Sequence, residues 1–425
     1  MWVDRMRMLS MYGIAFTLAF SFLNLNSAFI MLLAVVWLLE RNFKEKWILL
    51  SRNVGFFAYA FYFLILLLGI FDAQPLSAGW KYIETKVGFL VLPILLCSTA
   101  ITAKQLRSIM ITFLISLTAA SLYCLVKNGL LFVETKEASV FFYHSLVAPI
   151  HHHAVYFSIF LFVAAIFLFR EINAASLGIS RWLKIVWLVF CVFVLILLSS
   201  KMVLIFLLAY LAFSVFTDSF RMLKNWHKIL GLVFVATILV ILFELDNPVK
   251  RRFEDIMTPP THVLKEKFNK ATYFNGVEFR LLLWRITYDI VKENDAWIMG
   301  VGPTNAQTHL NQKYLELNMY SGDIPNQGTG YLIYNCHNQF LQTLLQSGII
   351  GLIALVLLYT YLLIRSFRTN DQVLIAFVLL LLCFTFVESL FERQYGMLMI
   401  AWLPLLFICS KEEKKRRSTR KTSSV

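Results

Sequence analysis

Arg280 and Trp284 are placed to meet a phosphate at a membrane surface. Between residues 278 and 290 the apolar side chains repeat at helical spacing on one face: Phe279, Leu283, Ile286 and Ile290. This pattern predicts an amphipathic helix that lies on the membrane, with Arg280 and Trp284 flanking its apolar face. The planar guanidinium of an arginine donates two hydrogen bonds at once, which suits a lipid diphosphate. The structural alternative is an arginine whose stem covers apolar surface beside an interfacial tryptophan.

His337 and Asn338 open an apolar run that continues beyond Gly351. If the helix includes His337, Gly348 and Gly351 lie within about 20° and about 40° of it around the axis, on one face. We therefore predict that another helix packs against the glycines and that His337 lies at the mouth of the bundle. A neutral imidazole there can accept a proton from a sugar hydroxyl at ambient pH. The alternative is a structural histidine at a helix start.

Two further groups of polar residues begin or end apolar segments. Lys201 follows Ser199 and Ser200, and we interpret it as a second cation for a phosphate or as a membrane anchor. A Ser–Lys hydrolytic dyad is disfavoured, because sequence neighbours on a helix point apart. Glu388 and Arg393 lie near the last hairpin. A carboxylate in a membrane is costly without a partner, so Glu388 should pair with Lys201 or Arg280.

His151, His152 and His153 precede another apolar segment, with Tyr156 close behind. Three consecutive histidines on a helix cannot all face one ion, so hydrogen bonding to substrate or headgroups is favoured over zinc. Cys336 adjoins His337, which keeps a thiol nucleophile as an alternative. The other five cysteines lie in apolar runs and have no CxxC spacing. We expect no metal and no other cofactor.

The composition identifies the class of protein that must position these residues. Of 425 residues, 59% are hydrophobic and 15% are charged, and the mean hydropathy is +0.70. A soluble domain is about half apolar and about a quarter charged, so we predict an all-α polytopic membrane protein in contact with membrane lipids. A β-barrel and a secreted enzyme are excluded. The net charge of +14 is interpreted through its distribution over the loops, not as nucleic-acid binding.

About twelve stretches approach the roughly 20 residues that cross a bilayer. They are centred near residues 8–22, 27–39, 54–71, 87–100, 109–126, 153–169, 183–198, 202–217, 228–244, 339–364, 372–388 and 394–410. Two pairs are joined so closely that we predict tight hairpins, at residues 24–27 and 199–201.

The loops differ strongly in basic residues. The connections on one side hold 23 Lys and Arg, those on the other side hold 6, and 10 lie in the long segment 245–336. We therefore predict cytoplasmic termini and a folded extracytoplasmic loop with amphipathic helices. The expected domains are a bundle of about nine helices (1–244), the loop (245–336), C-terminal helices (337–410) and a basic cytoplasmic tail (411–425) near anionic lipid. A signal peptide in place of the first helix is the alternative.

His337-Asn338, followed after nine residues by Gly348-x-x-Gly351 and preceded by a large loop, resembles the signature of the O-antigen ligase and O-antigen polymerase superfamily. The resemblance covers most of the chain. It implies a glycosyltransferase of the bacterial inner membrane that uses a glycan on undecaprenyl diphosphate, with inversion at the sugar carbon. By this resemblance His337 is the catalytic base and Arg280 holds the donor diphosphate. Lys201 stands where relatives commonly carry an arginine. The family needs neither metal nor nucleotide.

Several functions remain open. The first expectation is a ligase that transfers the glycan to a lipid A–core acceptor on the periplasmic side. A polymerase of repeat units or a protein O-oligosaccharyltransferase would share the motif and differ in acceptor. From other classes, a lipid or polysaccharide transporter and a purely structural membrane protein remain alternatives. A transporter is disfavoured because no paired broken helices are visible in the sequence.

Overall fold

The computed structural model describes residues 2–71, 73, 75–172, 178–216, 233, 237, 250, 259–322 and 330–422. The regular structure within these residues is helical, as predicted. The α-helices are α1 (Trp2–Ala19), α2 (Leu23–Leu39), α3 (Phe43–Ser51), α4 (Val54–Leu68), α5 (Leu76–Lys86), α6 (Gly88–Cys97), α7 (Ala103–Thr135), α8 (Tyr143–Val147), α9 (Ala154–Arg170), α10 (Arg181–Leu198), α11 (Lys201–Phe216), α12 (Gly276–Glu293), α13 (Ala306–Glu316), α14 (Gln339–Thr369), α15 (Gln372–Thr385), α16 (Gln394–Ala401) and α17 (Leu403–Thr422). Three short 3₁₀ helices span Ala138–Phe141, Ala148–Ile150 and Leu390–Glu392.

Polar side chains define where several of these helices begin. Thr102 and Gln105 form a capping box at α7, with Oγ1 of Thr102 accepting from the Gln105 N–H. Asn338 caps α14 and Asp371 caps α15 by accepting backbone N–H groups of the first turn. The first N–H groups of a helix have no partner inside it, so these side chains satisfy donors that lipid could not. Of these three helix starts, that of α14 adjoins His337, because Asn338 is its cap.

Helix α9 is the buried centre of the main core. Every residue from Ala154 to Leu168 is buried, and nearly all of them are apolar, so the apolar surface extends around the whole helix. A helix that is apolar on all sides must be covered on all sides. Helices α7, α10, α11 and α15 pack around it. By contrast, α1 to α4 and α10 expose large apolar side chains such as Met31, Phe57 and Val189, which suits contact with lipid.

Among the described residues, fewer helices are long and apolar enough to cross a membrane than the twelve spans that the sequence predicts. In the described part of the chain four spans are long and apolar enough: α7, α10, α14 and the combined α16–α17 segment. Two bent pairs, α2 with α3 and Tyr143–Ile150 with α9, raise the number to six. Several other predicted spans form shorter helices, of 15 residues in α4 and 14 in α15. The predicted span 228–244 lies outside the described residues except for 233 and 237, so twelve spans are not confirmed.

The first tight hairpin was misplaced. Helix α2 begins at Leu23, so residues 24–27 lie within a helix and the turn is at residues 20–22. The second hairpin is where it was predicted, because α10 ends at Leu198 and α11 begins at Lys201. Between them Ser199 has a φ of 49°, the left-handed conformation that reverses the chain in few residues.

Helices α12 and α13 build a second core in the described part of the segment 245–336. The apolar face of α12 was expected on the membrane surface, but Leu283, Ile286 and Ile290 are at most 1% exposed. They pack with Leu310 and Tyr314 of α13 and with Leu345 of α14. The prediction of an amphipathic helix was right, but the prediction that the membrane covers its apolar face was wrong. Periodicity reveals an apolar face and not what covers it.

Helix α14 is kinked at Gly348, where φ is 60° and ψ is −160°. A Cβ at this position would lie 2.1 Å from the carbonyl oxygen of Ile298, so only glycine allows this close approach. A backbone hydrogen bond also joins this loop to α14, because the Val301 N–H donates to the Leu345 carbonyl at 2.8 Å. The glycine thus accommodates the loop before α13, and the prediction that it admits another helix was wrong.

Candidate functional site

The polar residues meet where α12, the start of α14 and the segment after α15 come together. Glu388 lies at the centre of this cluster and is 6% exposed. Its Oε2 lies 3.2 Å from Nδ1 of His337 and 4.0 Å from Nη2 of Arg280. The sequence suggested Arg280 as one partner for Glu388, and the structure places this ion pair at the limit of direct contact. It adds His337 as the closer partner.

Arg280 reaches the cluster from the first turns of α12. Its Nε–H donates to the Val387 carbonyl at 2.9 Å, and Nη1 donates to the Gly276 carbonyl at 2.6 Å. A guanidinium has five N–H groups, so these two bonds leave three for other acceptors. Because α12 is fixed by its buried face, the guanidinium is held beside Glu388 with donor capacity that these bonds do not use.

His337 precedes α14 and does not belong to it, since the helix begins at Gln339. Its φ is 44°, and its N–H donates to the Asn335 side chain at 3.0 Å. A non-glycine residue in this region is strained by about 1–3 kcal/mol and persists only where its surroundings hold it. The expected shared face of His337, Gly348 and Gly351 therefore does not exist, because the imidazole is outside the helix and the helix is broken at Gly348.

The rings of Tyr334 and Phe279 flank the imidazole. Their centroids lie 5.6 Å and 6.3 Å from the centroid of His337, and 5.0 Å from each other. Sequence reasoning missed Tyr334 because a lone tyrosine in a loop carries no periodic signal. Its place three residues before His337 could have been a clue.

Glu388 is fixed by the segment that follows it. The Asn338 N–H donates to the Ser389 hydroxyl at 3.3 Å, and the Phe391 N–H donates to Gln339 Oε1 at 2.8 Å. These bonds join the start of α14 to residues 389–391, so His337 and Glu388 are held in register. Lys86 also binds the Phe391 carbonyl and lies 3.3 Å from Glu392.

Glu388 carries its charge at ordinary pH. Burial raises the pKa of its carboxyl, but the hydrogen bond with His337 and the charge of Arg280 oppose burial, and the net effect lowers the pKa below its usual value. A carboxylate can only accept hydrogen bonds, so Nδ1 of His337 donates to it. The neutral imidazole therefore carries its lone pair on Nε2, which is the arrangement of a general base.

The histidine run lies on another side of Glu388. His153 and Tyr156 both interact electrostatically with Glu388 and with Arg393, whereas His152 stacks on Tyr395 with ring centroids 4.4 Å apart. Burial lowers the pKa of His152 to about 4 and, with His144 nearby, that of His153 to about 3, so both rings are neutral.

The other predicted site residues differ in their exposure and in their hydrogen bonds. His151 is exposed, as is Arg393, which precedes α16. The indole Nε1 of Trp284 is buried without a hydrogen-bond partner among the described residues. Lys201 begins α11 directly after two buried serines, and its role toward a diphosphate stays a prediction.

Cys336 is unsuited to nucleophilic chemistry. Its side chain is fully buried, and burial raises the pKa of the thiol to about 12 despite a hydrogen bond from Thr287 at 3.2 Å. A thiol that stays protonated is a weak nucleophile. Within the described residues no group of three or more His, Cys, Asp or Glu is arranged to hold a metal ion.

The described chain thus combines apolar helices long enough to cross a membrane with a His–Glu–Arg cluster at one end of the bundle. Residues 186–356 match the family model described as O-Antigen ligase. The match confirms the predicted resemblance to the O-antigen ligase-like superfamily over this part of the chain. It includes Lys201, Arg280 and His337, whereas Glu388 lies beyond it. None of the curated proteins matches the chain.

The family match supports a general conclusion about the type of reaction and substrate. Proteins of this family are glycosyltransferase-like ligases and polymerases, and the family implies polysaccharide or lipid-linked glycan substrates. Together with the apolar helices, the match indicates a membrane protein that is similar to O-antigen ligases over residues 186–356.

Proposed function

We propose that this protein is a glycosyltransferase that moves a glycan from undecaprenyl diphosphate to a lipid A–core acceptor. The observation that carries the proposal is the contact between His337 Nδ1 and Glu388 Oε2 at 3.2 Å, with the Arg280 guanidinium beside it. A base and a phosphate-binding cation must lie within one substrate's reach for this transfer. The family match supports the choice of a lipid-linked glycan as substrate.

In the proposed reaction His337 Nε2 accepts the proton of an acceptor hydroxyl. The hydroxyl oxygen forms a bond to the anomeric carbon from the face opposite the diphosphate, and the bond between that carbon and the diphosphate oxygen breaks. The configuration therefore inverts, and undecaprenyl diphosphate leaves with the bonding electrons. Glu388 stabilises the imidazolium, while the unused N–H groups of Arg280 and the ammonium of Lys201 stabilise the leaving charge.

The remaining residues are assigned to substrate binding. His151, His152, His153, Tyr156 and Arg393 belong to a polar surface on one side of Glu388. Asn338 and Trp284 belong to the other side, and the unpaired indole N–H of Trp284 is suited to a sugar oxygen or a headgroup. The proposed reaction needs no cofactor and no metal ion.

The proposed setting is a bacterial inner membrane with about twelve spans and both termini in the cytoplasm. The four proposed parts are a bundle (1–244), a periplasmic loop (245–336), C-terminal helices (337–410) and a basic tail (411–425). Support comes from the loop charges, with 23 Lys and Arg on one side and 6 on the other. The cluster then faces the periplasm.

The decisive experiment is complementation of two null strains, one without its O-antigen ligase and one without its polymerase, with lipopolysaccharide analysed by gel. We expect long glycan to be restored on the core in the first strain and not with His337→Ala. Restoration of glycan chain length only in the second strain would show that the protein is a polymerase and not a ligase. Failure to complement either strain, with the protein expressed in each, would contradict the proposal and favour protein glycosylation or transport.

A further inference from the structure

An apolar groove lies at the end of α14 far from His337. It runs between α11 and α15, has a volume of about 680 Å³, and is lined largely by apolar side chains: Phe206, Tyr210, Phe213, Phe367, Ile375 and Leu379. Ligand sites typically enclose about 300–1,000 Å³. Because α14 has 31 residues at a rise of about 1.5 Å each, the groove is separated from the proposed glycosyl-transfer site by most of the bundle.

One polar atom in this groove lacks a partner. Tyr210 is 8% exposed, and its hydroxyl has no hydrogen-bond partner in the part of the chain that the structure describes. A buried hydroxyl without a hydrogen bond costs about 1–3 kcal/mol, so a tyrosine at this position indicates that something else supplies an acceptor or a donor. A phenylalanine would line the same groove without this cost.

The mouth of the groove is cationic. Asn370 and Gln372 line it on either side of Asp371. Asp371 binds both Arg170, at 2.7 Å, and Lys411, at 3.2 Å, so two cations face one carboxylate and an excess positive charge remains. The charges of Arg170 and Asp371 both act on the Tyr210 hydroxyl, which places this hydroxyl near the mouth.

Arg170 also keeps donors for a ligand. Within the described residues its guanidinium makes one hydrogen bond, from Nη1 to Asp371 Oδ1, and its side chain is 34% exposed. The remaining N–H groups suit the oxygens of a phosphate. A long apolar groove with a cationic, hydrogen-bonding mouth is complementary to a molecule that is an acyl chain at one end and a phosphate at the other.

We propose that the groove between α11 and α15 binds one anionic phospholipid, with an acyl chain between the helices and its phosphate against the Tyr210 hydroxyl and Arg170. The loop charges assign this end of the bundle to the cytoplasmic leaflet, whose surface is rich in anionic lipid.

A second groove provides a matched control. It lies between α7 and α10, has a volume of about 520 Å³, and is lined by residues that include Val186 and Trp187. Its Trp187 indole N–H donates to Thr118 at 2.6 Å, so the indole is already satisfied. This groove should hold ordinary lipid without preference for the headgroup.

The test is native mass spectrometry of the purified full-length protein with added phosphatidylglycerol or phosphatidylcholine of the same acyl chains. We expect one phosphatidylglycerol to bind about fivefold more tightly than phosphatidylcholine, because the excess positive charge favours the lipid with a net negative charge. Both lipids carry the phosphate, so Tyr210→Phe should weaken the binding of both by several-fold. Ala209→Trp, which fills the groove from an exposed position on α11, should remove the site, whereas Val186→Trp in the control groove should not.

Equal binding of the two lipids would overturn the proposal, as would equal effects of Ala209→Trp and Val186→Trp. Each variant is first checked by size-exclusion chromatography and thermal unfolding in detergent. If Ala209→Trp does not fold, Tyr210→Phe decides, because it removes one oxygen and leaves the packing of the ring unchanged. An unchanged affinity for phosphatidylglycerol in Tyr210→Phe would then contradict the assignment of the phosphate.

Discussion

Two buried carboxylates lie at opposite ends of helix α14, and they are paired in different ways. Asp371, just after the helix, binds Arg170 at 2.7 Å and Lys411 at 3.2 Å with different oxygens. It also accepts the N–H groups of Val373 and Leu374 at the start of α15. Both oxygens are therefore engaged with groups that hold three helices together.

Glu388, beside the start of the same helix, is held more loosely. Its Oε2 is shared between His337 at 3.2 Å and Arg280 at 4.0 Å, and the second distance exceeds that of a hydrogen bond. The same Arg280 keeps N–H groups that protein carbonyls do not use. A carboxylate with both oxygens engaged stabilises a fold, whereas one that meets its partners through a single oxygen, at 3.2 Å and 4.0 Å, leaves room for a substrate. The comparison thus separates a structural site from a chemical one.

The largest effect should come from the base itself. His337→Ala removes the proton acceptor, and general base catalysis contributes about 10²–10⁴-fold, so we expect transfer to fall by about 10³-fold while donor binding persists. The measurement is transfer of a lipid-linked glycan by purified protein, with donor binding followed separately. His309→Ala on α13 is the control histidine and should retain activity. Unchanged transfer in His337→Ala would remove this residue from the chemistry.

Glu388→Gln should lower turnover by about 10²-fold, less than loss of the base. The amide can donate to Nδ1, which would move the imidazole proton to Nε2 and block proton acceptance. Glu278→Gln is a close control, because Glu278 is buried and its Oε1 lies 3.1 Å from Nδ1 of His262. That change should alter stability and leave the pH profile of turnover as it is. If both variants behave alike, Glu388 is structural, as Asp371 is.

Arg280→Lys should lower turnover by about tenfold or more, because a point charge replaces a planar fork. Arg285, on the next turns of α12, binds the carbonyls of Val263 and Lys265 and is the matched control. Arg285→Lys should affect thermal stability and spare turnover. Near-normal turnover in Arg280→Lys would contradict its proposed contact with the diphosphate.

The sequence indicated which residues form the cluster better than it indicated how they are arranged. Arg280 and His337 stood out because their side chains suit phosphate and proton transfer, and Glu388 because a carboxylate near a membrane needs a partner. The position of His337 outside α14 follows from the helix cap Asn338, which is a signal in the sequence. The break at Gly348 could not be predicted, since it depends on the approach of Ile298 from another part of the chain. Burial of the α12 face likewise depends on α13, which hydrophobic spacing in α12 cannot reveal.

The spans illustrate the same limit. Long apolar runs such as α7 and α14 were recognised as spanning helices, because length and composition suffice for them. Shorter helices such as α6, with Pro93 inside its ten residues, satisfy the apolar count without the length to cross. Apolarity alone does not distinguish a lipid-exposed span from a helix that is buried by its neighbours, as α9 is.

Asp371→Asn sharpens the comparison from the structural side, with a smaller effect. Arg170 and Lys411 are about a third exposed, so after solvent screening we expect a loss of about 1 kcal/mol and a decrease of about 2 °C in the apparent Tm. Burial raises the pKa of Asp371, but the two cations outweigh it and the net shift is downward.

A depressed pKa means that the carboxylate stabilises the fold above the ordinary aspartate range and that this contribution is lost as the pH falls through the lowered pKa. Thermal unfolding in detergent between pH 7 and acidic pH should therefore show the difference between wild type and Asp371→Asn shrinking as the pH is lowered. Turnover at neutral pH should be nearly unchanged. A loss of turnover at constant Tm would mean that the two carboxylates do not divide into a structural and a chemical one.

The smallest expected change is that of Lys201→Arg. The resemblance described above implies an arginine at this position, and an arginine binds phosphate oxygens with two hydrogen bonds where a lysine offers a point charge. Turnover should therefore be equal to that of the wild type or up to about threefold higher, with a lower KM for the donor. Lys201→Met should lower turnover and raise that KM, which separates a charge role from packing. An inactive but folded Lys201→Arg protein would assign Lys201 to the structure of the α10–α11 turn, leaving Arg280 as the cation that acts on the diphosphate.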